Sequence, residues 1–349
     1  MNNKKNFKKI IFLDYIIILK LHHKIGHYIL NFFMLLVFLS FSNSLSCLNE
    51  NISQGRSYLN TESFSVLGCL FSRLQSFGGN GGVICVSVSG IVIEISSCSF
   101  YNCAVDSSSN IFGGAIYFLS KSSYLSFICA NKCSSSYVGQ FAYISCSNDN
   151  SVQYLSLSNS FRKMYPLEQV NGLQTVYGSN SSINNNEWGT GFLLSSSTNS
   201  TLSYCTASNN IATSSICIEF HVITNSNARM NNIIHNNSPS SYGVILLHST
   251  STVSIDSCIM MNNRNTLLYV HSGHLTCTNN FINHQFTLTS GSVSGSQNSY
   301  PNTTTLFTLK HYSSFYCHAE NIINPDQTGI VRFSKLFNQL LVFSNGIIQ

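Results

Sequence analysis

The sequence predicts an all-β fold, a right-handed parallel β-helix of roughly nine coils. Apolar runs of four to six residues alternate with turns rich in Ser, Thr and Asn, and the pattern recurs every 23 to 32 residues. No unit has the 3.6-residue periodicity or the capping residues of a helix. One unit alone cannot bury its apolar face, whereas stacked units cover one another and share a continuous interior.

Each unit opens on Gly or another small residue, continues through two short strands and closes on an Asn-containing turn. The units start at Gly81, Gly113, Gly139, Gly191, Ser215, Gly243, Thr266, Thr305 and Gly329. Longer intervals predict insertions near 161–189 and 287–304. The predicted solenoid therefore covers 81–349 and follows an N-terminal cap region at 47–80.

Two residue types recur at similar places and predict ladders along the stack. A cysteine in the second strand, a small apolar residue that packs well on its copies, is found at Cys98, Cys129, Cys205, Cys258 and Cys317. An asparagine marks the closing turn at Asn102, Asn209, Asn262 and Asn279 or Asn280. There Asn tolerates a left-handed backbone, and its amide can bond the coils on either side.

The first two units carry a resemblance. GGVI at Gly81 followed by SFYNC, and GGAI at Gly113 followed by ICANKC, resemble the repeats of polymorphic outer-membrane proteins and, more widely, pectin-lyase-like right-handed β-helices. The match is close over 81–133 and looser beyond. The resemblance implies a secreted or surface-displayed β-helix of the kind often used in adhesion.

A leucine-rich repeat is the alternative fold, because it has a similar repeat length and also uses Asn. It requires one strand per unit with periodic Leu. Two strand-like runs per unit and the irregular Leu spacing favour the β-helix.

The first 46 residues predict a leader. The apolar run Ile29–Phe41 is followed by small residues, with Ser44 and Ser46 placed before a cleavage point. Either translation starts at Met34 and the leader is cleaved, or the basic N-terminus from Met1 is retained as a signal anchor. The run is shorter than the roughly 20 residues of a membrane-spanning helix, which favours cleavage. Both alternatives predict secretion or cell-surface display, with membrane contact only through this segment or through an anchor beyond Gln349.

Composition limits the classes of partner. Charged residues are only 8% of the chain, and lysines in the first 24 residues account for the net charge of +5. A nucleic-acid partner is not expected, because phosphate binding needs clustered Lys and Arg. The chain has 13 cysteines, which are compatible with an oxidising compartment. Sequons, which predict a glycoprotein, occur at Asn51, Asn180, Asn199, Asn236 and Asn302.

The search for chemistry finds no catalytic, cofactor-binding or metal-binding residue, and no cofactor is predicted. The 12 acids are scattered singly, and Glu219 and Asp256, in neighbouring units, are expected to face apart. A metal site from His271, His274 and Cys277 with His284 is an alternative, but these positions straddle a turn. The pairs Cys98/Cys103 and Cys129/Cys133 remain open between disulfides, a zinc site and buried thiols.

The expected function is therefore a non-enzymatic surface solenoid that binds host or cell-surface proteins or glycans. Tyrosines that could stack on sugars lie at Tyr101, Tyr117, Tyr137 and Tyr143. The alternative is a carbohydrate-active enzyme, a polysaccharide lyase or hydrolase of the pectin-lyase-like class.

Overall fold

The computed structural model describes residues 63–298 with short gaps, together with the backbone of Ser44–Ser46 and Arg56–Ser57. The gaps are 77–78, 107–109, 163, 213–215, 239–242, 249–250, 265–266, 283–286, 289–290 and 297. The chain divides into two units, Met1–Ser46 and Cys47–Gln349. In the first unit the described residues form the strand Ser44–Ser46, and the second unit contains the solenoid.

The second unit is an all-β parallel solenoid of about eight turns, and its described residues contain no helix. Each full turn contributes to four parallel ladders, numbered here in the order in which the chain meets them. Ladder 1 contains Arg56–Ser57, Ile84–Ser87, Ile116–Ser120, Ala142–Cys146, Leu167–Val170, Gly189–Ser195, Ile216–His221, Ile245–His248, Leu268–Val270 and Thr287–Leu288.

Ladder 2 follows ladder 1 in each turn. It contains Ser63–Leu67, Val92–Ser96, Leu173–Tyr177, Asn199–Ser203, Asn225–Arg229, Ser251–Asp256, Gly273–Thr278 and Ser292–Ser296. Two long strands, Ser122–Asn131 and Asp149–Ser158, run through both ladder 2 and ladder 3.

Ladders 3 and 4 close each turn with shorter strands. Ladder 3 adds Leu70–Ser72, Ser99–Tyr101, Asn180–Ser182, Thr206–Ser208, Asn232–Ile234, Ile259–Met261 and Phe281–Ile282. Ladder 4 consists of Gln75–Ser76, Ala104–Val105, Phe161–Arg162, Asn185–Asn186 and Ile211–Ala212, extended by single bridges. Several strands per turn exclude the leucine-rich alternative.

Three segments that the sequence assigned elsewhere form strands of the solenoid. The expected insertion at 161–189 contains Leu167–Val170 and Leu173–Tyr177, which pair in parallel with the turns before and after them. The expected cap region at 47–80 and the expected insertion at 287–304 also contain strands, and these pair in parallel with strands of the adjacent turn. No unit start was assigned within these segments, but in the first two of them apolar residues such as Val66, Leu167 and Val176 point into the core. The units expected from Thr305 and Gly329, and Cys317, lie outside the described residues.

Alternation of side chains builds the interior. In Ile116–Ser120 the side chains of Ile116 and Phe118 are fully buried, whereas Tyr117 between them is only half-buried. Successive turns place the same inward positions on top of one another. Phe71 stacks on Phe100 with ring centroids 4.8 Å apart, and Phe100 meets Phe141 edge-on at 5.3 Å. The interior is therefore continuous along the axis, as the repeat pattern predicts.

Two bends recur in each full turn, and both use a left-handed residue. Between ladders 2 and 3 the residue with positive φ is Gly68, Ser97, Phe127, Tyr154, Gly178, Tyr204, Met230, Ser257 or Asn279. Between ladders 3 and 4 it is Arg73, Asn102, Lys132, Asn159, Ile183, Asn209, His235 or Asn262. Left-handed φ at Asn102, Asn209, Asn262 and Asn279 confirms the turn geometry predicted for these asparagines.

The residue after each left-handed position points inward, and its N–H needs an acceptor from the next turn. Asn184, Asn210, Asn236 and Asn263 supply this acceptor after the second bend, because the Oδ1 of each accepts the N–H of the residue one turn earlier at 2.9 to 3.2 Å. After the first bend, Asn280 Oδ1 accepts from Cys258 N at 2.8 Å. The sequence predicted the amide ladder at Asn209 and Asn262, but the residues that form it are Asn210 and Asn263, one position later. Of the two alternatives Asn279 and Asn280, it is Asn280 that bonds the neighbouring turn.

The cysteine ladder is corrected in the same way. Cys98, Cys205 and Cys258 share the inward position after the first bend, but Cys129 does not, because it pairs with Ser99 and places Ile128 opposite Cys98. The left-handed residue Phe127 lies inside a continuous strand, so the register could not be read from cysteine spacing alone.

Candidate functional site on the outer face of ladder 2

The outer side chains of ladder 2 form a continuous polar surface, which we call the ladder 2 face. Its central column is in register from turn to turn and consists of Ser65, Glu94, Tyr124, Ser151, Thr175, Thr201, Asn227, Ser254, Thr276 and Ser294. All of these residues are half-buried or exposed. Adjacent strands repeat at about 4.8 Å, so the column presents one polar group at each such step.

Charge is almost absent from much of this face. The column from Ser151 to Ser294 contains only hydroxyl and amide side chains. Of the charges beside it, Asp149 accepts a hydrogen bond from Tyr124. Arg229 Nε lies 3.7 Å from Asp256 Oδ2, and Asp256 also accepts hydrogen bonds from Thr278 and Asn279. These hydrogen bonds and the Arg229 charge hold the pKa of Asp256 below its ordinary value despite some burial. A ligand of this face would meet hydroxyls and amides and little net charge.

Aromatic residues border the face at the first bend. Phe127 and Tyr154 stack with ring centroids 4.9 Å apart, Tyr154 meets Tyr177 at 5.7 Å, and Tyr177 meets Tyr204 at 5.5 Å. All four rings are half-buried and belong to consecutive turns. This aromatic row was not predicted, because Phe127, Tyr154 and Tyr204 lie in the left-handed bend whereas Tyr177 is the last residue of its strand.

The tyrosines singled out from the sequence lie elsewhere. Tyr117 and Tyr143 stack at 5.5 Å on the outer side of ladder 1, and Phe112 contacts both, as well as Tyr137. Tyr101 is on ladder 3, under the ammonium group of Lys132 at 5.4 Å. Burial and nearby Glu168 raise the pKa of Tyr143 to about 12, so its hydroxyl is a neutral hydrogen-bonding group.

A half-buried carboxyl cluster on ladder 1 was also missed by the sequence. Glu168, Leu193 and Glu219 are in register on adjacent strands, and the hydroxyl of buried Tyr165 donates to Glu219 Oε2 at 2.5 Å. The ring of Tyr165 occupies the space that a Cβ on Gly189 would take. Tyr165 and Glu219 are 54 residues apart in sequence, which is why no local motif indicated the pair.

Burial raises the pKa of both glutamates of this cluster. Burial, with Glu219 nearby, raises the pKa of Glu168 to about 8, and one of its buried oxygens, Oε2, has no hydrogen-bond partner. Burial raises the pKa of Glu219 as well, although the Tyr165 hydroxyl and the adjacent His221 act against this. The distance from His221 Nδ1 to Glu219 Oε1 is 3.6 Å. Chemically, the cluster combines a protonated acid, a phenol and an imidazole.

We expect the stability of the protein to depend on pH through Glu168, and Glu168→Gln to remove that dependence. Since its pKa rises from 4.5 to about 8 on folding, the folded chain holds a proton that the unfolded chain releases. The contribution of this proton to the free energy of unfolding is complete below the pKa of the unfolded chain. It is lost as the pH rises towards 8, and the loss is on the order of a few kcal/mol. Urea denaturation between pH 5 and 8 measures it, with the exposed Glu94→Gln as control. An unchanged pH slope in Glu168→Gln would contradict the assignment.

The histidines form a stack and do not form a metal centre among the described residues. His221, His248 and His271 occupy one column at the end of ladder 1, with ring centroids 4.7 and 4.8 Å apart. Burial and the two neighbouring imidazoles lower the pKa of His248. His274 instead bonds Ser292 on ladder 2, and Cys277 points into the core. His271, His274 and Cys277 are therefore not brought together, and His284 lies outside the described residues. Glu219 and Asp256 lie on different ladders, as expected.

Ten of the described cysteines are present as thiols, and all of them are buried except the half-buried Cys85. They are Cys69, Cys85, Cys98, Cys103, Cys133, Cys146, Cys205, Cys217, Cys258 and Cys277. Burial raises the pKa values of Cys205, Cys217, Cys258 and Cys277 to about 12, so these thiols are protonated and unreactive in the folded chain.

Three of the predicted sequons lie among the described residues. Asn199 is exposed at the start of a ladder 2 strand, whereas Asn180 and Asn236 are buried and hydrogen-bonded inside the structure. Of these three, only Asn199 is accessible for glycosylation in the folded chain.

No protein-family model matches this chain, and no curated protein or solved structure is significantly similar to it. Among the described residues no helix is long and apolar enough to cross a membrane. The apolar run Ile29–Phe41 lies outside the described residues.

Proposed function

We propose that the protein is a non-enzymatic, secreted or cell-surface solenoid that binds an extended neutral glycan along the ladder 2 face. The observation that carries the proposal is the in-register column from Ser151 to Ser294, in which seven consecutive turns present only hydroxyl or amide groups. Export rests on the predicted leader and on the resemblance of 81–133 to the repeats of polymorphic outer-membrane proteins.

The chemistry of the face favours sugars over charged polymers. Hydroxyl and amide groups donate and accept hydrogen bonds in the same way as glycan hydroxyls. A linear chain lying along the axis would meet an equivalent group at every strand, about 4.8 Å apart. Many weak contacts in register would then add up without any deep pocket.

The aromatic row supports the same ligand class. Tyr154, Tyr177 and Tyr204 provide apolar ring surface together with hydroxyl groups at the margin of the face. Tyrosine is well suited to such a border, because one end of the side chain is apolar and the other forms hydrogen bonds. A sugar has the matching combination of apolar C–H patches and hydroxyls.

The test is a glycan array probed with the purified protein and with Thr175→Arg/Thr201→Arg, which places two bulky charges in the centre of the face. We expect the variant to lose at least tenfold in affinity, about 1.4 kcal/mol. The control is Ile211→Arg, an exposed position on ladder 4. We also expect wild-type binding to change little between low and high salt, since the face carries little net charge. Equal binding by all three proteins, or binding only to proteins, would overturn the proposal.

A carbohydrate-active enzyme is the second candidate, and the Tyr165–Glu168–Glu219 cluster is the observation that favours it. Glycosidases use one protonated carboxyl as acid and a second carboxylate as base or nucleophile. Against this, Leu193 lies between the two glutamates and is 6% exposed. The same array ligands analysed for cleavage products decide between the candidates: turnover that disappears in Glu168→Gln would replace glycan binding by catalysis as the function.

A further inference from the structure

Four buried thiols form two matched pairs in the first described turns. Cys69 and Cys98 follow the first bend in consecutive turns, and the neighbouring residues Leu70 and Ser99 are paired in register. Cys103 and Cys133 follow the second bend one turn further on, and the adjacent Ala104 and Ser134 form a bridge. Each cysteine thus lies directly above its copy, although the partners are about one whole coil apart in sequence.

The separation within each pair is suitable for a disulfide. Parallel strands are about 4.8 Å apart, and disulfides join Cα atoms that are 4.4 to 6.8 Å apart. Cys98 Sγ lies 3.4 Å from the backbone nitrogen of Cys69. The thiols of Cys103 and Cys133 each reach a backbone carbonyl one turn earlier, at Phe71 and Phe100. All four side chains are at most 2% exposed. The spacing of adjacent turns therefore falls within the range that a disulfide spans.

The same inward positions are filled differently in later turns. After the second bend they hold Asn184, Asn210, Asn236 and Asn263, and each amide bonds the next turn. After the first bend Asn231 separates Cys205 from Cys258, so those two thiols have an asparagine between them and are two turns apart. Cysteines therefore follow one another in adjacent turns where the asparagine ladder is missing. Where asparagines are present, as between Cys205 and Cys258, the cysteines are not in adjacent turns.

We propose that Cys69–Cys98 and Cys103–Cys133 form two disulfides between turns when the chain folds in an oxidising compartment. Each bond forms as two thiols lose their protons and two electrons to a small-molecule disulfide such as oxidised glutathione, which leaves as two thiol molecules. The two cysteines of the first bond are 29 residues apart in sequence, about one coil. Each disulfide therefore joins two neighbouring coils covalently, whereas later in the chain amide hydrogen bonds join neighbouring coils. The inference is independent of the proposed glycan binding.

The burial of the thiols determines when the two disulfides can form. The pKa of Cys103 in the folded chain is raised well above its ordinary value by burial, with a smaller contribution from Cys133. Thiolate is the attacking species in exchange, so the folded reduced protein should react slowly. The bonds are expected to form during folding, before the turns close over the sulfur atoms.

The experiment refolds the full-length chain with a mixture of reduced and oxidised glutathione, then denatures it, alkylates free thiols without reduction and digests it at low pH. We expect cross-linked peptides joining Cys69 to Cys98 and Cys103 to Cys133, while Cys205 and Cys258 are alkylated. Free thiols at the four positions, or different pairings, would overturn the proposal. A second measurement uses the double variant Cys69→Ser/Cys98→Ser. Reductant is expected to accelerate proteolysis of the wild-type segment 63–134 at least tenfold, and to have a smaller effect in this variant; equal effects would also overturn it.

Discussion

Gly114→Ala is expected to destabilise the solenoid by about 3–5 kcal/mol, although it adds a single methyl group. A Cβ at this position would lie 2.1 Å from the carbonyl oxygen of Gln140 and 2.5 Å from that of Ser134. Both contacts are backbone atoms of the next turn, so no side chain can rotate away. The turns would have to separate, and the parallel hydrogen bonds between them would be lost.

Gly90→Ala is the matched control for this prediction. A Cβ at Gly90 meets nothing within 4 Å, and its backbone is not left-handed. Urea denaturation followed by circular dichroism should show a large fall in the unfolding midpoint for Gly114→Ala and almost none for Gly90→Ala. Similar midpoints in the two variants would show that the turns are not packed as closely as the structure places them.

Asn210→Ala is expected to cost about 3–5 kcal/mol, because it leaves several buried partners unsatisfied. Asn210 Oδ1 accepts from the backbone N–H of Asn184 at 3.0 Å and from its Nδ2 at 3.1 Å. Asn210 Nδ2 donates to Ser181 O at 2.9 Å and to Asn236 Oδ1 at 3.1 Å. Alanine replaces none of these bonds, and water has no access to a side-chain position that is 0% exposed.

The neighbouring Asn209→Ala separates the ladder from the bend. Asn209 is exposed and has a φ of 53°, so its loss should cost only the left-handed preference of Asn, about 1 kcal/mol. Chemical denaturation of the two variants side by side checks the assignment. If Asn209→Ala destabilised the protein more than Asn210→Ala, the amide ladder would be formed by Asn209, as the sequence predicted, and the assignment to Asn210 would be wrong.

Features that repeat within one turn could be predicted from the sequence. Short apolar runs separated by polar turns indicated strands without helices, and glycine marked the start of units, as at Gly113. Asn at Asn102, Asn209 and Asn262 indicated left-handed bends, which the structure confirms. Each signal is local, because strand alternation and backbone preference act over a few residues.

Features that depend on stacking could not be predicted in this way. The segment 161–189 was expected to be an insertion because of the long interval between the unit starts on either side of it, yet Leu167 and Val176 fill the same inward positions as their neighbours. Inside the stack, Gln169 Nε2 donates to Asn150 Oδ1 at 3.0 Å and Ser200 Oγ to Gln174 Oε1 at 3.0 Å, so buried amides replace apolar residues. Polar residues at such positions had suggested turns.

The amino-acid sequence by itself determined the fold class, the approximate repeat length and the chemical character of the surface, since these follow from composition and short-range order. Only the tertiary structure decided which residues meet: Asn210 with Asn236, Tyr165 with Glu219, Cys69 with Cys98. The physical reason is that coil length varies from turn to turn, and a shift of one residue reverses which side chains point inward. Register must therefore be fixed by packing between turns before any site can be located.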